Sequence, residues 1–195
     1  MASLLRGQID RADYCILLRN LHALYETLET ALDRHAGTTA VAPVRFPALY
    51  RSAALVADLH HLADARWATL PIARATHDYC RRIRELSETQ PGLLVAHAYV
   101  RYLGDLSGGQ ILRAVIRRSL ALAEEAGTAF YAFGHAADVE ARKAAFRSGL
   151  DALPMDAAGT QLLVAEANAA FIRHVQLFEE LDQMCVAASQ PARSS

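Results

Sequence analysis

Residues 96–112 read AHAYVRYLGDLSGGQIL, and the fold turns on what three glycines do inside a stretch that is otherwise helical. Each of Gly104, Gly108 and Gly109 weakens a helix by about 0.5–1 kcal/mol relative to alanine, so each needs a reason to be there. A residue without Cβ lets the backbone approach a flat ligand or a second helix closely, and it lets a helix bend. Spacing alone serves close helix packing as well as it serves ligand binding. Asp105 stands between the glycines, with Arg101 one turn earlier. A carboxylate with little side-chain bulk around it is placed to organise water in a pocket, and a buried carboxylate requires a partner. The plainer alternative is an exposed acid paired with Arg101 across one turn, worth only a few tenths of a kcal/mol.

Outward from this segment the periodicity is helical throughout, and no alternating run competes as a strand. Pro91 is expected to open the longest helix, running to about Glu125 with its interruptions at the glycines. Upstream, Asp10 can cap a helix whose apolar positions are Tyr14, Leu17, Leu18, Leu21, Tyr25, Leu28 and Leu32, with Gly37 as its stop. Thr38 to Phe46 reads as a loop. Pro47 then starts a helix carrying Ala53, Val56 and Leu59 inward, and Pro71 starts another with Tyr79, Ile83 and Leu86 on one side. Downstream, an aromatic connector (Phe130, Tyr131, Phe133) leads to a helix from about Ala136 to Leu150. A last helix begins at Pro154 or Asp156, with Leu163, Phe171, Val175, Phe178 and Leu181 inward. Ala2 to Arg6 resembles the last turn of a helix stopped by Gly7. The expectation is an all-α, single-domain fold over residues 1–186, followed by a polar tail over 187–195.

Bulk properties narrow the function. The 195 residues suit one domain with a real core. Hydrophobic residues make up 53% and charged residues 21%, and the formal net charge is −1, so nothing points to nucleic acid or a membrane surface. Cys15, Cys80 and Cys185 are odd in number and widely spaced, which excludes a disulfide framework and a cysteine zinc site and suits a reducing cytosol. The start carries no signal-peptide run, and no stretch approaches the ~20 apolar residues of a membrane span. A cytoplasmic monomer without a membrane anchor is expected.

The segment AHAYVRYLGDLSGGQIL resembles the distal-helix signature of heme oxygenases, a long and specific motif. In the same order, LHALYETLE (21–29), APVRFP (42–47), FRSGLDAL (146–153) and AFIRHVQLFEEL (170–181) resemble their counterparts in that family. The likeness runs from Met1 to about Met184. It implies a kinked distal helix over heme, which is both cofactor and substrate. Oxygen and electrons from a ferredoxin or flavin reductase open the macrocycle to biliverdin, releasing iron and carbon monoxide. By this resemblance Gly104 and Gly108 let the helix lie over the heme, and Gly109 helps it flex. Asp105 holds a water network near the bound oxygen, which Arg101 and Tyr25 extend. Lys143 and Arg147 hold the propionates, Tyr99 lies near that edge, and Phe171 walls the pocket. On spacing alone Lys143, the sole lysine beside nineteen arginines, and Arg147 read as a solvated basic face. Phe171 on spacing alone reads as a core aromatic.

The resemblance also implies a proximal histidine on a first helix. None of His22, His35, His60, His61, His77, His97, His135 and His174 matches it, so its counterpart, and with it any metal ligand, is expected upstream of Met1. The sequence is therefore expected to begin part-way through that helix; the other reading is a naturally short chain with another ligand or no activity. Three other function classes stay open. A non-catalytic heme carrier or sensor would use the same fold. A di-iron oxygenase would need two Glu-x-x-His motifs, against one loose match at Asp58–His61. A thiaminase-like enzyme would need an activated cysteine. Arg81, Arg82, Arg84, Arg113, Arg117 and Arg118 form either an acidic-partner docking face or a solvated surface.

Overall fold

A computed structural model describes residues 9–123 and 126–189; the helix end expected at Ala2–Gly7 lies outside them. The first helix, α1 (Arg11–Arg34), starts where expected: the Asp10 side chain accepts from the Asp13 N–H at 2.8 Å. All seven apolar positions anticipated for it are buried, Tyr14, Leu18, Tyr25, Leu28 and Leu32 completely. This stripe is the floor against which α2 (Ser52–Ala63) and α3 (Arg74–Thr89) pack.

Three prolines behave differently from expectation. Pro47 and Pro91 open short 3₁₀ turns (Pro47–Leu49, Pro91–Leu93), and the helices proper start later. The reason at α2 is a buried carboxylate: Glu29 of α1 accepts from the Arg51 N–H at 2.5 Å and from the Ser52 N–H and hydroxyl, capping the helix there. That start rotates the inward face to Leu55, Asp58, Leu59 and Leu62, leaving Ala53 exposed and Val56 half-buried. Likewise α3 begins three residues after Pro71, where Asn20 accepts from the Ala73 N–H and the Thr76 hydroxyl.

The long glycine-bearing helix is three pieces: α4 (Leu94–Ala98), a π-helical turn (Tyr99–Leu103) and α5 (Gly104–Ser119). It ends at Ser119, short of Glu125, in a turn where Ala121 has φ +49°. The interruption therefore lies upstream of Gly104, in a wide turn that carries one residue more than an α turn. The connector at Ala129–Tyr131 is nailed down by Asp58, which accepts from the Ala129 and Phe130 N–H groups at 2.8 Å. This use of Asp58 consumes the single acid-x-x-His match that a di-iron reading requires.

Next, α6 (Ala136–Asp151) crosses the 3₁₀ turn Ala42–Val44, and α7 (Ala157–Ser189) covers α3 and α4. The last helix continues three residues into the segment expected as tail; 190–195 lie outside the described residues. Of its anticipated inward positions Phe178 and Leu181 are buried, whereas Phe171 and Val175 are 59% and 39% exposed. Among the described residues no helix is long and apolar enough to cross a membrane.

A buried ionic staple joins α7 to α3 and α4. Glu166 accepts from Arg82 at two nitrogens (3.1 and 2.6 Å) and pairs with His97 Nε2 at 3.1 Å; His97 Nδ1 lies 3.3 Å from the Tyr79 hydroxyl. The bond to His97, and then Arg82, hold the Glu166 carboxyl down at about 2 against the ordinary 4.5. A depressed carboxylate contributes stability above its unfolded value and loses it as pH falls through the folded one. We therefore expect a loss of unfolding free energy between about pH 4.5 and 2 that is absent in Glu166→Gln, read by denaturant titration. Parallel curves for the two proteins would contradict it.

Candidate functional site

The π turn sets the geometry of the site. It places Arg101 and Asp105 so that the guanidinium Nη2 donates to Asp105 Oδ1 at 3.1 Å. From α1, the Tyr25 hydroxyl donates to Asp105 Oδ2 and accepts from Arg101 Nε at 3.1 Å. Arg101 Nη1 lies 2.6 Å from His174 Nδ1 on α7. Four side chains from three helices thus form one closed hydrogen-bonded group. Tyr25 is fully buried and Arg101 is 4% exposed, so the exposed-pair alternative for Asp105 and Arg101 does not hold.

Electrostatics follow from that burial. Burial raises the Asp105 carboxyl, and Arg101 and the Tyr25 hydroxyl pull it back. Burial also works against the Arg101 charge, but Tyr25 and Asp105 outweigh it and hold the guanidinium firmly protonated. Tyr25 is raised well above the usual phenol range, by burial first. His174 is pushed down to about 2 by burial and by Arg101, so its imidazole is neutral. The group is one fixed cation beside one carboxylate, with neutral donors and acceptors around them.

A cavity of about 190 Å³ adjoins this group, lined among others by Gly104, Asp105, Arg101, Phe130, Phe171 and His174. The glycines divide into two kinds. At Gly104 and Gly108 an added Cβ would meet nothing within 4 Å, so the helix there faces open space. At Gly109 it would lie 3.4 Å from the Tyr131 ring, which is close packing against the connector. The two readings of the glycine helix, ligand approach and tight packing, are thus both realised, at different residues. Beside the open face the last helix leaves Phe171, Ile172 and Val175 exposed, and α5 leaves Ile111 69% exposed. Such a run of uncovered large side chains next to a cavity is a binding surface in character.

Of the residues expected from sequence, the structure brings Tyr25, Arg101, Gly104, Asp105 and Phe171 to one place. Gly108 continues the open face, and Tyr99, 44% exposed, lines an adjoining groove with Leu150 and Leu163. Lys143 and Arg147 sit apart from the group on α6. Lys143 Nζ is 2.8 Å from Glu140 Oε1, and Arg147 is exposed. His174 was not among the expected site residues. Its signal was present: it lies three residues after Phe171, on the same helical face. None of the three thiols is activated, each being raised by burial, Cys185 up to about 12, which removes the thiaminase-like reading. The arginines proposed for docking are partly committed: Arg82 to Glu166 and Arg81 to Asp78.

An open glycine face, exposed apolar walls and a half-buried, oriented carboxylate fit a flat apolar ligand with polar chemistry at its centre. The comparisons with known proteins agree. The heme oxygenase family model matches residues 1–180. Heme oxygenase 1 of Nostoc sp. is 39% identical over 179 residues, covering 91% of this chain and 75% of that one. The heme oxygenase-2 structure from Synechocystis sp., in complex with heme and NO, superposes with a TM-score of 0.91 at 36% identity, covering 96% of this chain and 78% of that one. The Leptospira interrogans heme oxygenase structure gives 0.87 at 39% identity, covering 92% and 88%. The chain belongs to the heme oxygenase family.

Proposed function

We propose that this chain binds heme against Gly104 and Gly108 and cleaves it oxidatively to biliverdin, releasing ferrous iron and carbon monoxide. The observation that carries the reading is the Asp105 carboxylate, fixed by Arg101 and Tyr25 at the edge of a glycine face with open space above it. Bound heme supplies the iron that activates oxygen. The protein's own part is positional. Gly104 and Gly108 admit the plane of the ring, Phe171 walls it, and Asp105 orients water beside the oxygen-binding side, a lever that acts through hydrogen bonds rather than ligation. Arg101 stays charged and Tyr25 stays neutral across the physiological range, so the two groups fix Asp105 without titrating themselves. Lys143 and Arg147 hold the propionates once Lys143 exchanges Glu140 for a ligand-borne carboxylate.

Electrons come from a ferredoxin or flavin reductase. Arg117 and Arg118, in the last turn of α5, belong to the face that would meet an acidic donor. We place the chain in the cytoplasm as a monomer, a setting that suits three cysteines joined in no disulfide.

Heme titration followed by absorbance, then turnover with reductant and oxygen, tests this reading. Biliverdin should form, whereas a stable ferric complex would place the chain with heme carriers on the same fold. The glycine face has its own test. Gly104→Ala and Gly108→Ala should leave the apoprotein as stable or raise it by about 0.5–1 kcal/mol, since nothing opposes the new methyl and alanine favours helix. Heme affinity should fall roughly tenfold or more, because the methyl stands where the ring would lie. Unchanged affinity would remove the face from the site.

A further inference from the structure

We propose that Tyr25, Tyr102 and Tyr50 form a relay that carries oxidising equivalents from the site to the surface, so that a hydroperoxide acting on bound heme leaves its radical on Tyr50 and not in the pocket. The inference rests on the heme-binding part of the proposed function and not on bilin formation.

The three rings make one column. Tyr25 stands one hydrogen bond behind Asp105, which lines the cavity. Its ring centroid is 6.0 Å from that of Tyr102, and the Tyr102 ring lies 6.5 Å from Tyr50 at an interplanar angle of 17°. Tyr25 and Tyr102 are fully buried, whereas Tyr50 is half-buried and its hydroxyl donates to Asp33 Oδ1 at 2.7 Å. The Asp33 side chain is 49% exposed and also accepts from Arg45 Nε at 2.7 Å. The column therefore begins at the cavity and ends in water.

The hydroxyls decide where a radical rests. A phenol that loses an electron becomes a strong acid, so it needs an acceptor in place for its proton. Among the described residues Tyr102 has none: its buried hydroxyl makes no hydrogen bond. Its ring is a bridge for the electron and not a stopping place. Tyr25 has an acceptor in Asp105, but a protonated Asp105 would strip the buried Arg101 of its counter-charge. At Tyr50 the proton passes to Asp33 and on to solvent, and no buried group loses a partner. One electron leaves Tyr50, its hydroxyl proton moves to Asp33 Oδ1, and the electron crosses Tyr102 and Tyr25 to fill one of the two oxidising equivalents that the hydroperoxide brings to the heme. A second passage fills the other. Each neutral phenoxyl radical left at the surface returns to tyrosine by taking one electron and one proton from a reductant in solution, such as ascorbate. Trp67, the sole tryptophan, stands apart from the column against His22 and His60.

The test loads the chain with hemin and adds tert-butyl hydroperoxide without reductant. Electron paramagnetic resonance with ring-deuterated tyrosine identifies phenoxyl radicals, and peptide mapping of a spin-trap adduct locates them. The adduct is expected on Tyr50. Tyr50→Phe should lose it, and Asp33→Asn, which accepts the bond but not the proton, should lose most of it. Both should bleach more heme per hydroperoxide added, and neither should change bilin formation with reductant and oxygen. Tyr102→Phe keeps the ring and should keep the Tyr50 adduct, whereas Tyr102→Leu should lose it. An adduct in the unaltered chain on Trp67, on Tyr25 or on no residue overturns the proposal, as does undiminished labelling of Tyr50 in Tyr102→Leu. Should Tyr102→Leu fail to fold, undiminished labelling of Tyr50 in Asp33→Asn overturns it equally. Labelled Tyr50 without bilin formation counts against the heme oxygenase reading and leaves the relay standing; bilin formation without labelled Tyr50 does the reverse. A chain that takes up no hemin overturns both.

Discussion

Asp105→Ala is expected to abolish useful turnover: bilin formation should fall roughly a hundredfold while peroxide release rises, because the oriented carboxylate is gone and the water beside the oxygen-binding side is no longer held. The same change should cost the apoprotein about 3 kcal/mol, since Arg101 is left charged and buried with part of its compensation removed. Asp105→Asn separates the two effects. It keeps the shape and one oxygen able to accept from Tyr25, so it should recover much of the stability. The neutral amide still lacks the charge that balances Arg101, and turnover should remain well below that of the unaltered chain. Bilin yield, peroxide yield and denaturant unfolding measured on the same three proteins check this together. An alanine variant that forms bilin at an ordinary rate would remove Asp105 from the chemistry.

How much of this site was legible before the structure depends on which physical signal each residue leaves in the sequence. Tyr25 fell on a periodic helical stripe, Asp105 stood out as an acid between glycines, and Arg101 lay one turn before it, so pattern and resemblance both reached them. The π turn at Tyr99–Leu103 left no such signal: its composition, YVRYL, suits an ordinary helix, and only tertiary packing selects the wider turn. For the same reason the bend was expected at the glycines and found just before them. Phe171 shows the opposite failure. A 3.6-residue stripe on α7 predicts burial, yet the side chain is more than half exposed, because the stripe was read as core when part of it faces a binding surface. The proline starts were misplaced because the caps that fix them, Glu29 and Asn20, come from another helix and are invisible to local sequence.

Gly149 makes the sharpest contrast with Gly104 and Gly108. An added Cβ there would stand 2.0 Å from the Pro43 carbonyl oxygen and 2.9 Å from its carbon. Both are backbone atoms of the turn Ala42–Val44, so no flexible side chain can move aside; the whole helix must. Gly149→Ala should therefore destabilise by about 3 kcal/mol or more, far beyond the ~1 kcal/mol of helix propensity that alanine supplies. For a chain of this size that corresponds to a fall in melting temperature of roughly 10 °C. The damage should also reach the site. Phe146, one turn before Gly149, packs on Phe46 and Tyr102, and Tyr102 lies against Tyr25. The same helix carries Lys143 and Arg147. A shift of α6 away from Pro43 would move those cations from the propionate-holding position proposed for them, so heme affinity should drop even below the melting point. Calorimetry and heme titration at a temperature where the variant is folded measure the two separately. A variant as stable as the unaltered chain would mean that the contact between α6 and the turn yields easily. Loss of stability with undiminished heme affinity would mean that α6 holds the fold but not the ligand. Glycine thus acts in opposite senses in one chain: at residues 104 and 108 it leaves room, and at 149 there is no room for anything else.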